Sequence, residues 1–244
     1  MKEKNKVITL ERIDKILSNQ LGYSRKEIKE LIRKKHIMVN EQIITKPDIK
    51  VNPELDIIKI FNQEITIKKH IYLILNKPTG YISATEDRTM KTVLDLVPQE
   101  YLHRNLFPAG RLDKDTTGLM IITDDGEFAH NILSPKKHIS KTYNVTIDIK
   151  VTKEMVDGFK KGIILNDGKC QEASLEITGE NTAQVILTEG RYHQIKRMFG
   201  CFNAKVTKLE RIKMGSLELP KDLKIGKCRE LTKEELKLVK TKWI

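Results

Sequence analysis

The sequence predicts an α+β fold in two parts. A small N-terminal part has two helices and a short β-hairpin, and a larger part has a mixed, mainly antiparallel sheet. Apolar residues recur at helical spacing near the N-terminus, which indicates amphipathic helices there. Beyond residue 70, short apolar runs that are typical of strands are mixed with helical segments. Because these segments do not repeat as regular βαβ units, an α+β fold is favoured.

The N-terminal part, residues 1–60, begins with two predicted helices. The first covers Ile8–Ser18 and stops at Gly22. Its apolar residues lie at helical spacing: Leu10, Ile13, Ile16 and Leu17. The second covers Arg25–Lys35, because Ser24 is a good N-cap and Glu27 completes a capping box. One face of the second helix is apolar, and the opposite face carries basic side chains: Arg25, Lys26, Lys29, Arg33, Lys34 and Lys35.

Short strands are predicted after these helices, separated by loops that contain Pro47 and Pro53. The strand-like segments are Ile37–Asn40, Ile43–Ile44 and Leu55–Ile60. Residues 61–70 are predicted to be a linker between the two parts. The larger part then covers residues 71–244.

Strands and helices are mixed along the larger part. The predicted strands are Ile71–Leu75, Leu119–Thr123, Thr142–Ile147, Ser174–Ile177 and Ala183–Thr188. The predicted helical segments are Thr89–Leu96 (a short helix or turn), Phe128–Leu133, Tyr192–Phe199 and Thr232–Thr241. In the helix Tyr192–Phe199, the apolar side chains of Ile195, Met198 and Phe199 are expected to face the core.

The charge of the chain favours a polyanionic partner. The 244 residues carry 45 Lys and Arg against 33 Asp and Glu, a formal net charge of +12. Half of this net charge lies in residues 1–70, which favours nucleic acid bound by the first part. The alternative is that these lysines form an ordinary solvated surface. The sequence has neither a long apolar run nor an apolar N-terminal signal, so no membrane association is expected and the protein is predicted to be cytoplasmic.

Several kinds of site are not supported by the sequence. The three cysteines are scattered, so neither a disulfide framework nor a zinc site is expected. The sequence contains no glycine-rich dinucleotide motif and no P-loop. It also lacks the zinc deaminase signature and the nucleophile elbow of serine hydrolases. An enzyme with this sequence would therefore work with side chains alone, with no cofactor and no metal.

The segment with the clearest chemical character is the polar loop between Gly110 and Gly118, which reads GRLDKDTTG and leads into an apolar strand. Ordering a loop with an arginine and two aspartates is costly unless the polar groups find partners. Taken alone, such a loop is better explained by a β-turn whose aspartates accept backbone hydrogen bonds.

This loop resembles the signature loop of ribosomal RNA pseudouridine synthases of the RsuA-like group, which pair an S4 domain with a catalytic domain. Further stretches agree with that family in the same order: Asn76–Tyr81, Lys141–Tyr143, Glu189–Phe199 and Arg229–Thr232. Residues 7–60 resemble the S4 RNA-binding domain through Arg12–Leu17, Ser24–Glu27 and Val39–Asn40. Lys35-His36 and Glu41 stand where that family often has glycine, so these turns have to close without glycine.

The resemblance implies roles for the matched residues. Asp113, rather than Asp115, would be the carboxylate that acts near the sugar–base bond, and Lys196 would be its cationic partner, with Arg197 as the fallback. Tyr143 would stack on the extruded uracil or handle a sugar proton. Arg111 would help to take the base out of its stack. Asp115 and Thr116 are expected to fix the loop, and the residues Lys136, Lys137, His138 and Lys141 are expected to form a basic edge of the cleft.

The resemblance also implies a substrate and a set of RNA contacts. The predicted function is the isomerisation of a uridine in ribosomal RNA, with 16S rRNA favoured, as free RNA or in a small-subunit assembly intermediate, by a monomeric protein. The alternatives are a 23S rRNA enzyme of the same family and a non-catalytic S4 RNA-binding protein. The predicted RNA-binding residues are Arg25, Lys26, Lys29, Arg33, Lys34, Lys136, Lys137, Arg191, His193, Gln194 and Arg197.

Overall fold

The computed structural model describes residues 10–241, which divide into two compact units. The first unit holds the chain up to His70 together with Gln99–Asn105, and the second holds Ile71–Pro98 and the chain from Leu106. Gln99–Asn105 therefore groups with the first unit, although it lies within the larger part as predicted from the sequence. No helix among the described residues is long and apolar enough to cross a membrane.

The first unit contains two helices and six short strands. In chain order they are β1 (Glu11–Arg12), α1 (Ile13–Leu21), α2 (Arg25–Arg33), β2 (Ile37–Val39), β3 (Gln42–Ile43), β4 (Lys50–Val51), β5 (Ile58–Ile60) and β6 (Gln63–Ile65). β3, β2, β5 and β6 form an antiparallel sheet in that order, and β1 pairs with β4. The apolar faces of both helices and the strands form one core, in which Ile13, Leu17, Ile28 and Ile37 are fully buried.

The start of α1 corrects the predicted helix Ile8–Ser18, of which the first two residues lie outside the described chain. The helix starts at Ile13, because the backbone amides of Ile13 and Asp14 donate to the carbonyl oxygens of Ile49 and Pro47. Gly22 ends α1 in the left-handed conformation, as predicted. The predicted capping box between Ser24 and Glu27 at the start of α2 is also confirmed.

The turns of the first unit close without glycine by placing other residues at positive φ. Asn40 and Glu41, between β2 and β3, have φ of 50° and 65°. The Asn40 side chain supports this turn by donating to Asp56 and accepting from the amide of Ile57. Phe61 and Asn62 repeat the arrangement with φ of 49° and 63°. This second turn leads into β6, so the predicted linker 61–70 is wrong over Gln63–Ile65.

The second unit contains a large sheet, four helices and a small separate hairpin. In chain order its elements are β7 (Tyr72–Lys77), β8 (Phe107–Pro108), β9 (Thr117–Thr123), α3 (Gly126–Leu133), β10 (Lys141–Ile147), α4 (Lys153–Lys161), β11 (Ile164–Leu165), β12 (Gly168–Lys169), β13 (Ser174–Ile177), β14 (Thr182–Leu187), α5 (Gln194–Gly200), β15 (Val206–Met214), β16 (Leu217–Glu218), β17 (Cys228–Glu230) and α6 (Lys233–Val239). Single 3₁₀ turns lie at Val93–Leu96 and Pro135–Lys137 in this unit, and at Gln99–Tyr101 in the first.

The sheet has the order β13-β14-β10-β15-β9-β7-β17, with β8 and β16 paired at its margins. All of its pairs are antiparallel except β15 with β9, which confirms the predicted mixed, mainly antiparallel sheet. The central strand β15 and the helix α4 were not predicted. The charged residues of β15 hide its alternation, although Leu209, Arg211 and Met214 are buried.

Candidate active site

A cavity of about 890 Å³ opens in the second unit, between the loop Gly110–Gly118, the segment before α5 and the strands β10 and β15. The predicted site residues Arg111, Asp113, Tyr143 and His193 all line it. The fold therefore brings together side chains that are up to 82 residues apart in the sequence. The apolar walls of the cavity are formed by Ile82, Leu112, Leu187, Ile195 and Leu209.

The buried ammonium group of Lys77 holds the loop from the end of β7. Its Nζ lies 2.8 Å from the carbonyl oxygen of Thr116, 3.0 Å from that of Asp113, 3.3 Å from that of Lys114 and 3.1 Å from that of Pro78. Burial lowers the pKa of Lys77 to about 8. Sequence reasoning assigned no role to Lys77, although it lies within the stretch Asn76–Tyr81 that agrees with the family. Lys77 holds the backbone of the loop from Asp113 to Thr116.

Ser83 fixes the other side of the loop. Its hydroxyl donates to the carbonyl oxygen of Leu112 at 2.7 Å and accepts from the amide of Leu112 at 2.9 Å. The expectation that Thr116 fixes the loop is wrong as far as its side chain is concerned, because its buried hydroxyl has no hydrogen-bond partner among the described residues. Gly118 ends the loop with φ of 98°, and a side chain there would collide with the carbonyl oxygen of Arg211 on β15.

Lys196 on α5 lies between the two aspartates of the loop. Its Nζ is 3.0 Å from Asp113 Oδ2 and 2.6 Å from Asp115 Oδ1. The hydrogen bond from Lys196 lowers the pKa of Asp115. Burial lowers the pKa of Lys196, but its bonds to Asp115 and Asp113 outweigh that effect, so that its pKa is raised. Lys196 is therefore a positively charged partner of both carboxylates.

Two further predicted residues, His193 and Arg197, lie near Lys196 in the sequence. His193 was predicted to bind RNA, and its Nε2 lies 3.5 Å from Asp113 Oδ1, so it faces the same carboxylate from the other side. Arg197, the predicted fallback partner of Asp113, is bound instead to Asp167 and to the carbonyl oxygen of Tyr192. The fallback is therefore not needed, because Lys196 forms the ion pair with Asp113 and Arg197 is paired with Asp167.

Gln194, a predicted RNA contact, lines the cavity but is only 5% exposed and is bound within the protein. The Gln194 amide donates to Glu189 Oε1 at 2.6 Å and accepts from the backbone amide of Arg191 at 2.9 Å. The Arg191 guanidinium group donates to Glu189 and to the carbonyl oxygens of Gly168 and Lys169. Both side chains thus support the segment before α5 from within the protein.

The other predicted basic residues are exposed. Arg111 lines the cavity, and Lys136 and Lys137 follow the lining residue Pro135; none of the three basic side chains forms an ion pair within the described chain. On α2, the side chains of Arg25, Lys26, Lys29 and Lys34 are exposed, and Arg33 forms an ion pair with Glu30 at 2.6 Å. These surfaces are accessible to a polyanion.

Lys141 was expected at the exposed edge of the cleft, and this expectation is wrong. Lys141 is only 5% exposed because it starts the interior strand β10, and it lines the cavity together with Arg211, which is 2% exposed. Sequence reasoning missed Arg211 altogether. The sequence signal for its burial is the alternation along β15: Arg211 follows Leu209 by two residues and therefore lies on the same face of the sheet.

Comparison with known proteins identifies both units. The family model described as RNA pseudouridylate synthase matches residues 71–200, and that of the S4 domain matches residues 11–57. An uncharacterised RNA pseudouridine synthase of Bacillus subtilis, YtzG, is 38% identical over 93% of this chain and 98% of its own length. The ribosomal small subunit pseudouridine synthase A of Escherichia coli K12 is 38% identical over 92% of this chain and 98% of its own length. A solved pseudouridylate synthase has a TM-score of 0.67 at 35% identity, covering 93% of this chain and 99% of the other.

Proposed function

We propose, on the premise that the chain belongs to the RNA pseudouridylate synthase family, that it isomerises a specific uridine of ribosomal RNA to pseudouridine. The favoured substrate is 16S rRNA, because several relatives of similar length are named ribosomal small subunit pseudouridine synthase A. The protein would act as a cytoplasmic monomer on free rRNA or on a small-subunit assembly intermediate. A 23S rRNA substrate is the alternative within the family.

The placement of Asp113 carries this proposal. Its side chain is 24% exposed, lines the cavity and lies 3.0 Å from the ammonium group of Lys196. Asp113 is thus a carboxylate beside a cation in a cavity, which is the arrangement that a nucleophile or a base needs. The same arrangement argues against a non-catalytic RNA-binding protein, in which nothing would maintain a paired carboxylate in a cavity.

The reaction needs the uracil to leave C1′ of its ribose, to turn, and to rejoin through C5. A uridine inside a helix has to be flipped out first, and Arg111, an exposed residue that lines the cavity, would help to take the base out of its stack. Tyr143 lines the cavity and would stack on the flipped base or handle a sugar proton. Asp113 would then act at the sugar or at the base. The C5 proton is lost, N1 gains one, and no cofactor or metal is needed.

The first unit would hold the RNA by its backbone. The S4 family match covers the two helices and the strands up to residue 57, and the exposed basic face of α2 provides positive charge. Lys136 and Lys137 next to the cavity would add phosphate contacts in the second unit.

Release of tritium from C5 tests the proposed function. Transcripts of 16S and 23S rRNA labelled with [5-³H]uridine would be incubated with the protein, and tritium in the solvent counted. We expect release from 16S rRNA. Mapping of pseudouridines in a deletion strain would identify the site. Release from 23S rRNA alone would favour the large-subunit alternative, and release from neither RNA would favour the non-catalytic one.

Lys196→Met is expected to lower kcat by about 10-fold or more, because it removes the ammonium group that lies 3.0 Å from Asp113 and 2.6 Å from Asp115. Tritium release at saturating RNA measures kcat. Arg197→Met is the matched control, because its guanidinium group pairs with Asp167 and not with Asp113. A kcat that is unchanged in Lys196→Met would contradict the role of the pair in turnover.

A triple change of Lys26, Lys29 and Arg33 to Gln is expected to weaken RNA binding through fewer phosphate contacts. Each lost contact lowers the slope of log K against log salt by roughly 0.7–0.9, so the slope should fall by about 2–3. Turnover at saturating RNA should remain near wild type, because these contacts are the same in the ground and transition states. Binding and kcat over a salt series measure both quantities. A lowered kcat would mean that α2 also positions the target, and an unchanged slope would remove α2 from the interface.

A further inference from the structure

The floor of the cavity holds two buried cations that the steps above do not use. Lys141 starts β10, and Arg211 lies on the neighbouring strand β15, where it is paired in register with Tyr143. Both line the cavity. Neither side chain forms an ion pair within the described residues, and burial followed by repulsion from Arg211 lowers the pKa of Lys141 to about 8. Two like charges are thus buried together without a carboxylate to balance them.

Hydrogen bonds within the protein leave donors of both groups unused. The Lys141 Nζ reaches the carbonyl oxygens of Ile139 and Thr188 at 3.2 and 3.3 Å, which leaves one of its three hydrogens. Arg211 donates through Nε to the carbonyl oxygen of Leu119 at 2.7 Å, while its buried Nη2 has no partner among the described residues. An unpaired buried donor is costly, and a cation whose pKa is perturbed, as that of Lys141 is, indicates a functional site when it lies in a cavity.

We propose that Lys141 and Arg211 form a cationic subsite that binds a carbonyl oxygen of the flipped uracil and stabilises the negative charge that develops on the base. This inference rests on the proposed function, since it concerns the substrate of the same cavity. It assigns to the two residues a direct contact with the reacting base.

The position of the two cations favours a base over a backbone phosphate. A phosphodiester continues into the chain on both sides and cannot descend alone to residues that are 5% and 2% exposed. A flipped base is attached at one point only. With its ribose near Asp113 at the loop, the far edge of the ring would lie between the apolar side chains of Leu187 and Leu209 and present its oxygens to the floor.

The chemistry needs positive charge at this edge whichever way Asp113 acts. If the N1–C1′ bond breaks first, its electron pair stays with the base, and the negative charge is shared by O2 and O4. If the carboxylate adds to C6 first, the resulting enolate carries its charge on O4. In the first route this pair then forms the C5–C1′ bond, the C5 proton leaves and N1 is protonated. In the second route the N1–C1′ bond breaks with its electron pair on N1, which is protonated, and the enolate pair forms the C5–C1′ bond. Loss of the C5 proton then expels the carboxylate from C6, so that the charge on the base disappears in both routes. Fixed donors at the oxygen therefore stabilise the transition state more than the ground state.

Thio-substituted RNA tests the contact. The kcat of the wild type would be measured in single turnovers on target RNA with uridine, 2-thiouridine or 4-thiouridine at the modified position. Sulfur accepts hydrogen bonds poorly, so replacing the contacted oxygen should lower kcat about 10- to 100-fold. The same substitution should lower kcat less than about 3-fold in Lys141→Met, because the interaction has already been removed. Sulfur also changes the intrinsic reactivity of the base, but this effect is the same in the wild type and in Lys141→Met and cancels when the two fold-changes are compared.

Two further variants test the contact of Arg211 and provide a control. Arg211→Lys retains the positive charge but shortens the reach of the donor. In this variant the same thio substitution in the RNA should lower kcat by a smaller factor than in the wild type. Lys208→Met is the matched control, since Lys208 is an exposed residue on the same strand. In this variant the thio substitution should lower kcat by the same factor as in the wild type. Thermal denaturation reports whether each variant folds, and the wild-type series needs no variant at all.

The proposal is overturned if neither thio substitution lowers the kcat of the wild type. It is also overturned if the thio substitution lowers kcat by the same factor in the wild type, in Lys141→Met and in Arg211→Lys. A smaller slope of log K against log salt for RNA binding in these variants, with an unchanged effect of the thio substitution on kcat, would show that the cations bind a phosphate. That result would also overturn the proposal. In all these cases the wild type still isomerises unmodified RNA, so the proposed function stands. No turnover of unmodified RNA would contradict the proposed function and this subsite with it.

Discussion

Asp113→Asn is expected to lower kcat by at least about 10³-fold while RNA affinity changes little. The substitution keeps the size of the side chain and removes its negative charge, which the reaction needs at the sugar–base bond. The backbone of the loop is held independently of the Asp113 side chain, because Lys77 binds the carbonyl oxygen of Asp113 and Ser83 binds that of Leu112. Tritium release and RNA binding, measured on the same preparation, separate catalysis from affinity.

Asp115→Asn is the matched control for this prediction. Asp115 lies two residues away, binds the same lysine and has a side chain that is 69% exposed. Its substitution should reduce turnover only modestly, because Lys196 keeps its bond to Asp113. If Asp115→Asn abolished turnover and Asp113→Asn retained it, the assignment within the loop would be reversed.

Lys77→Met is expected to lower the free energy of unfolding by about 3 kcal/mol and to abolish activity. The variant leaves four carbonyl oxygens without their shared donor, three of them in the loop that carries Asp113. Urea denaturation and tritium release measure the two effects. Lys114→Met, an exposed lysine of the same loop, should change neither stability nor activity substantially. Wild-type stability in Lys77→Met would show that the loop is held by other contacts.

The pH dependence of stability gives a second test of Lys77. Its pKa is about 8 in the folded protein against 10.5 for an ordinary lysine. Between these values the unfolded chain binds more protons than the folded one, so this group makes stability rise with pH. The difference in unfolding free energy between wild type and Lys77→Met should therefore grow from about pH 8 to 10.5. The effect of Lys141 is present in both proteins and cancels. A constant difference would contradict the lowered pKa.

Local features of the chain could be predicted from the sequence because they depend on neighbours a few residues apart. The capping box of Ser24 and Glu27 needs only a spacing of three residues, and the stop at Gly22 needs only a residue that tolerates positive φ. The core-facing side chains of α5 follow from helical periodicity. The pairing of Lys196 with the loop was implied by the family resemblance.

The sequence by itself thus determined the mixed sheet and the family, and through the family resemblance it indicated that Lys196 pairs with Asp113. Only the tertiary structure decided where α1 begins, that β15 is the centre of the sheet, and that Lys77, Lys141 and Arg211 are buried. The physical reason is the same in each case. A charged residue in a strand looks solvent-exposed in the sequence, and its burial depends on partners that other strands supply: carbonyl oxygens of the loop for Lys77, Ile139 and Thr188 for Lys141, and Leu119 for Arg211.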